Sequence, residues 1–161
     1  MMNQSKISII AAIGKTTHAL GKDGALLWRI PEDMRRFKTL TIGHTVIMGR
    51  KTWESIPEKF RPLPERTNIV ITKNTAYSAS GALVVHTFNE ALDVAQKNER
   101  TEIFIIGGAR VYEEALSKSS RLYLTLVDSD TQGDVFFPDY STFTKKSLRK
   151  DILKIPRRIH L

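Results

Sequence analysis

A chain of 161 residues, 41% of them hydrophobic, has the length of one domain and can bury a substantial core. It contains no cysteine, which excludes disulfides and thiol chemistry, removes the usual zinc ligands and suits a reducing compartment such as the cytoplasm. The net charge is +8, but from Lys145 onward seven basic residues face the single acid Asp151, so the rest of the chain carries only +2. Without interleaved aromatic residues to stack on bases, that distribution argues against nucleic-acid binding as the primary function.

In chain order, residues 7–13 are a continuous apolar run, far short of a membrane span and typical of a strand buried on both faces. No persuasive secretory cleavage site follows it. Residues 14–28 read as a long connection rich in Gly, Lys and Asp, and unstructured loops of that length are usually functional. Pro31 opens a helix over 31–40, since its missing N–H belongs to the unbonded set of a first turn. At about 100° per residue, Ile30, Met34, Phe37, Leu40 and Thr41 fall on one stripe, Asp33 lies near its edge and Glu32 points away. A carboxylate so placed is either a first-turn acid facing the positive helix end or a group that needs a partner, which a ligand could supply.

Residues 45–48 form a short strand that passes through Gly49 into a helix ending near Ile56. Pro57, Pro62 and Pro64 punctuate the next loop, and strands follow over 68–72 and 82–86. Thr87-Phe88-Asn89-Glu90 is a capping-box signature for a helix to about Lys97. A strand over 102–106, a helix over 110–116 and a strand over 121–126 complete the alternation. The expected fold is α/β, one domain with a mostly parallel central sheet flanked by helices on both faces.

Such sheets bind ligands where strands end and turn toward helices. Three turns qualify. At Gly107-Gly108 two glycines bring bare backbone close to a bound group, just ahead of a helix N-terminus that attracts phosphate, although this is not the dinucleotide fingerprint and also suits a tight structural turn. At Gly49-Arg50-Lys51-Thr52 a rigid donor fork and a hydroxyl lie at another helix start. At Thr72-Lys73 a hydroxyl and an ammonium leave a strand. Three weak anion sites on one sheet fit an extended, phosphate-rich cofactor. The four scattered histidines and the absence of an acidic cluster leave no metal site to name.

The ordered motifs resemble dihydrofolate reductase. They are Ile7-Ser8-Ile9-Ile10-Ala11-Ala12, Leu27-Trp28-Arg29-Ile30-Pro31-Glu32-Asp33-Met34, and Val46-Ile47-Met48-Gly49-Arg50-Lys51-Thr52-Trp53-Glu54-Ser55-Ile56. Arg61-Pro62-Leu63-Pro64-Glu65-Arg66, Ile105-Ile106-Gly107-Gly108-Ala109-Arg110-Val111-Tyr112 and Leu122-Tyr123-Leu124-Thr125 follow, then Gly133-Asp134 and Phe136-Phe137-Pro138-Asp139-Tyr140. Their order and spacing cover residues 7–140.

The resemblance implies NADPH-dependent reduction of 7,8-dihydrofolate to tetrahydrofolate. Asp33 is similar to the acid that bonds the pterin's donor edge, Thr125 would contact that acid or the pterin amino group, and Trp28 would hold an ordered water. Phe37, Ile56 and Leu63 resemble the walls around the aminobenzoate ring. Arg66 resembles the fork gripping the substrate α-carboxylate, which its planar donors suit. Ala12 and Ile13 would lie against the nicotinamide and pterin. Gly21 and Leu26 belong to a segment resembling a lid over the cofactor. Gly49, Arg50, Lys51 and Thr52 would serve the pyrophosphate region, and Thr72 and Lys73 the adenosine 2′-phosphate. Gly107-Gly108 resembles the family's cis pair beneath the cofactor, with Ile106, Ala109, Arg110, Val111 and Tyr112 around it. The implied partners are dihydrofolate and antifolate-type ligands, with no specific nucleic acid and no membrane. The implied state is a cytoplasmic monomer.

Hydride would pass from nicotinamide C4 to pterin C6 while N5 gains a proton. Asp33 is expected to anchor the pterin electrostatically, with water delivering that proton. Two departures stand out. Leu27 replaces the proline that usually precedes the tryptophan, which frees a backbone angle in the lid. Residues 143–161 are short and basic where the family has a two-stranded hairpin, so the expected C-terminal hairpin is shortened or atypical, with residues 152–155 able to form a brief edge strand. Two other functions remain open at this level: a related NADPH-dependent pterin or pyrimidine reductase, and a non-catalytic folate- or nucleotide-binding module.

Overall fold

A computed structural model describes residues 4–143 and the backbone of 148–153. Its main sheet has the order β10-β8-β1-β7-β4-β5-β6, built from β1 (Lys6–Gly14), β4 (Thr45–Gly49), β5 (Thr67–Ile71), β6 (Leu83–Val85), β7 (Glu102–Gly107), β8 (Arg121–Val127) and β10 (Leu148–Leu153). Every pairing in it is parallel. Four helices cover it: α1 (Pro31–Thr41), α2 (Arg50–Ser55), α3 (Phe88–Asn98) and α4 (Ala109–Leu116).

Strand alternation sorts the side chains into two layers. Ile9, Ile13, Ile47, Ile105, Leu122 and Leu124 pack beneath α3 and α4 with Ala91, Ala95, Val111 and Ala115. On the other face Val46, Met48, Val70, Phe104 and Tyr123 pack toward α1 and α2 with Trp53, Leu40 and Ile56. Both faces of the central strands are thus apolar, which is why they read as unbroken hydrophobic runs. β1 is flanked by β7 on one side and β8 on the other, and it is at such a divergence that an open α/β sheet leaves a crevice at the strands' carboxyl ends.

Three expectations change. The segment 14–28 is not a structureless loop: it holds β2 (Ala19–Lys22) and β3 (Ala25–Leu26), which form an antiparallel sheet with β9 (Val135–Phe136). Asp23 (φ 52°) and Gly24 (φ 79°) make the turn, the pair of positive φ angles that a two-residue hairpin needs. Met34, assigned to the apolar stripe of α1, is 60% exposed, because the helix rests on the sheet through its Phe37–Thr41 end. The C-terminal segment does form an edge strand, β10, running parallel to β8, whereas Lys154 and Ile155 of the expected strand and most of the basic tail lie outside the described residues.

At the sheet's amino-terminal rim, Glu99 closes the turn between α3 and β7. Its carboxylate accepts from Thr45 N–H (2.9 Å), Thr101 Oγ1 (2.9 Å) and Thr101 N–H (3.2 Å), and lies 3.2 Å from His44 Nδ1. Burial acts to raise its pKa, but these bonds from His44, Thr101 and the Glu102 backbone prevail, and the net direction is downward. A depressed carboxylate pKa adds stability that is present above the unfolded-state pKa and is lost as pH falls through the folded one. Glu99→Gln is therefore expected to cost about 2–3 kcal/mol near neutral pH. In urea unfolding across a pH series, the difference from the parent should shrink in acid, and a pH-independent difference would contradict this account.

Candidate active site

α1 begins at Pro31 with Glu32 and Asp33 in its first turn, and neither Ile30 nor any other side chain caps it. Asp33 is half-buried and faces the sheet. There Thr125, 2% exposed on β8, donates its Oγ1–H to Asp33 Oδ1, which ties the first turn of the helix to the sheet. Ala12 is the register partner of Thr125 on β1. Trp28 is buried against Ala19 and Val127, with Leu27 and Ile30 packed around it. The acid, the hydroxyl, the small residue and the indole thus meet at the carboxyl-terminal rim under α1.

Further along α1, the Arg66 guanidinium lies 6.0 Å from the Phe37 ring centroid, donates to Thr41 Oγ1 (3.1 Å) and, through Nε, to Pro64 O (2.9 Å). Burial lowers its pKa, against the opposing charge of Glu65, and it remains a cation. Asn68 rigidifies this corner: its amide bonds both the N–H (3.0 Å) and the carbonyl (3.0 Å) of Leu63 and the carbonyl of Arg66 (3.0 Å). Ile56 and Leu63 pack against the α1/α2 side of the core. An acid at one end of α1, apolar side chains beside it and a cation toward the other end suit a long, flat ligand with a donor edge and an acidic tail.

The turn after β7 is the second half of the site. Gly107–Gly108 is a cis peptide, and a Cβ at Gly107 would stand 3.3 Å from Tyr112 Oη and 3.4 Å from Thr52 Oγ1. A Cβ at Gly49 would come 3.3 Å from Val111 Cγ2. A side chain would crowd this approach of the β4–α2 and β7–α4 turns, and the φ of 125° at Gly107 favours glycine there. Gly108 is the N-cap of α4 and offers no side-chain cap, so the helix's first N–H groups are open. Tyr112 donates to Ile10 O (2.9 Å), and burial first, then the charge of Asp33, push its phenol well above the usual range.

Several sequence-derived candidates occupy other settings. The Ile13 side chain is fully buried in the core under α3 and α4, as are Val111 and Tyr112, and Ile106 packs toward α1 and α2. Arg50 lies 3.4 Å from Glu54 and over the Tyr77 ring (6.0 Å). Thr72 is buried, its Oγ1 accepting from Asn74 N–H (3.2 Å), while Lys51, Lys73 and Arg110 are exposed and Ala109 is half-buried at the start of α4. Leu26 stands 63% exposed at the crevice side, and Gly21 is buried within β2.

Sequence reasoning missed the clasp on the lid. Asp134 accepts from Asp23 N–H (3.0 Å) through its carboxylate and donates its own N–H to Gly21 O (2.9 Å), and Phe137 N–H donates to His18 O (2.8 Å). The Asp23-Gly24 pair was the available signal for the hairpin; nothing local marks its partner Asp134, more than a hundred residues away.

Parallel strands that deliver polar groups and bare turns to one rim are how open α/β sheets hold nucleotide-sized ligands. Comparison narrows that class. The profile described as dihydrofolate reductase matches residues 6–152, and the chain belongs to that family. It is 42% identical over 144 residues to dihydrofolate reductase type 3 of Salmonella typhimurium, covering 89% of this chain and 85% of that protein. It is 46% identical over 134 residues to the dihydrofolate reductase of Neisseria gonorrhoeae, covering 83% and 80% respectively. A solved dihydrofolate reductase from Enterococcus faecalis, complexed with NADP(H) and RAB-propyl, superposes with a TM-score of 0.77 at 38% identity, covering 88% of this chain and 82% of that one.

Leu27 has a use that proline could not serve: its N–H donates to Leu20 O (3.2 Å), next to the β2–β3 hairpin. Leu27→Pro is expected to remove about 1 kcal/mol of local stability. Hydrogen exchange at the Asp23 and Asp134 amides should then accelerate roughly fivefold, while protection in β1 and β8 is unchanged. Unaltered exchange at those two amides would contradict it.

Proposed function

We propose that this chain catalyses the NADPH-dependent reduction of 7,8-dihydrofolate to 5,6,7,8-tetrahydrofolate, working as a cytoplasmic monomer of one domain over residues 1–161 and taking antifolate-type ligands in the same crevice, with no specific nucleic-acid partner. The observation that carries the reading is the Asp33–Thr125 pair at the first turn of α1, with Phe37 and Arg66 further along the same helix, in a chain that belongs to this family. An acid whose one oxygen is held by a hydroxyl keeps the other free for a two-point contact with the pterin's donor edge. Arg66 then takes the substrate carboxylate. A pyrimidine reductase would have no use for that cation, and a passive binding module no use for a lid.

The residues fit the cofactor. Side chains at Gly107 and Gly108 would fill the space before Thr52 Oγ1, and the uncapped start of α4 suits a phosphate-bearing group. Arg50, Lys51 and Thr52 would meet the pyrophosphate, Thr72 and Lys73 the 2′-phosphate, and Ala12, Gly21 and Leu26 would close on the nicotinamide, Ile13 offering only its backbone there because its side chain is in the core. Bound NADPH supplies the hydride. The chain's work is to stack the two rings, exclude water with the β2–β3 hairpin, and hold Asp33 so that its charge favours protonation at pterin N5 by water. Asp33 is an anchor rather than the direct proton donor, because its held geometry fixes it on the donor edge. Trp28, buried beneath the lid, would orient that water.

Purified protein is expected to consume NADPH only when dihydrofolate is present. Asp33→Asn should lower kcat/KM by about 10- to 100-fold near neutral pH, the loss of a charge-assisted contact, with NADPH affinity intact. An equal loss of NADPH affinity would place Asp33 outside the pterin pocket, and folded, NADPH-binding protein with no turnover would overturn the assignment.

A further inference from the structure

A second recess of about 550 Å³ opens at the opposite, amino-terminal rim of the sheet, under the last turn of α1 and far along that helix from Asp33. Its volume is that of a small-molecule site. Half-buried Leu40 gives it an apolar wall with the core residue Phe104, 1% exposed, behind it, while Lys6 and Arg100 stand at its edge. Among the described residues neither of these cations has a carboxylate partner. The acid in the lining is already engaged: Glu102 accepts from Tyr123 Oη (3.1 Å) and lies 3.7 Å from Arg121. His44, also in the lining, is held 3.2 Å from Glu99. The charge left to a visitor is therefore positive.

We propose that this recess binds a small aromatic carboxylate, its ring against Leu40 and its acid group toward Lys6 and Arg100. The apolar wall rewards a ring by burial, and two cations without an acid partner among the described residues reward the carboxylate. Neither feature serves the dihydrofolate crevice, which lies at the other rim.

The test is titration of 1-naphthoate into isotope-labelled protein saturated with NADP+ and folate, followed by amide NMR, with neutral 1-naphthalenemethanol as the control ring. The expected result is saturable shifts at Lys6, Leu40, Thr101 and Glu102 and weaker binding of the neutral ring by about tenfold. Lys6→Glu and Arg100→Glu, both at exposed positions outside the reductase site, should each weaken naphthoate by a similar factor and leave dihydrofolate turnover unchanged. Absence of shifts at this rim, shifts confined to the residues around Asp33, or equal binding of the charged and neutral rings would overturn the site.

Discussion

The hydroxyl of Thr125 donating to Asp33 is the contact on which the crevice depends. It fixes a helix to a sheet at the one point where a carboxylate must be kept in a largely apolar setting. Burying an acid without a partner is costly, and a partner that neutralised it with a full positive charge would leave nothing for a ligand. A single hydroxyl does neither. It fixes one oxygen and leaves the charge to act on whatever enters, so the same bond that locates α1 also makes the site selective for a donor edge.

The second constraint is steric. Gly49 and Gly107 let two strand-to-helix turns come together where a side chain would crowd Val111, Thr52 and Tyr112, and Gly107 has a φ of 125° that other residues rarely adopt. Because every strand of the main sheet is parallel, all such turns open on the same rim. The carboxylate of Asp33 and the bare backbone at Gly107–Gly108 are therefore neighbours by topology, although they lie on elements far apart in the chain. The hairpin of β2 and β3, which follows β1 in the chain, is held by Asp134 from a distant segment.

Much of this was legible because its signals are local and repeated. The apolar runs at 7–13 and 102–106 report strands buried on both faces, and Thr87 does cap α3, accepting from Glu90 N–H (3.0 Å) as the capping-box spacing indicated. The position of Asp33 could be narrowed to the helix edge by periodicity, but only the ordered motifs supplied Thr125 as its partner. Met34 shows the limit of periodicity: a stripe on a helical wheel does not say which of its members meet the sheet, and here Met34 stays exposed beside Asp33, which is bonded to β8. Residues 14–28 read as a plain loop for another reason. Two-residue and four-residue strands are too short to show alternation, and their third strand, β9, joins from residue 135, so pairing rather than pattern defines them. Nor could composition disclose that Leu27 contributes an amide, since that depends on Leu20 lying opposite.

If the account is right, Asp33 and Thr125 act as one unit toward the substrate. A double-mutant cycle on dihydrofolate binding, using Asp33→Asn, Thr125→Val and the double variant in the presence of NADP+, measures that directly. The predicted result is a coupling energy of about 1.5–3 kcal/mol, because once either partner is changed the other has little left to lose. Losses that simply add would mean that the two residues meet the ligand independently, and would contradict the central role given to their bond.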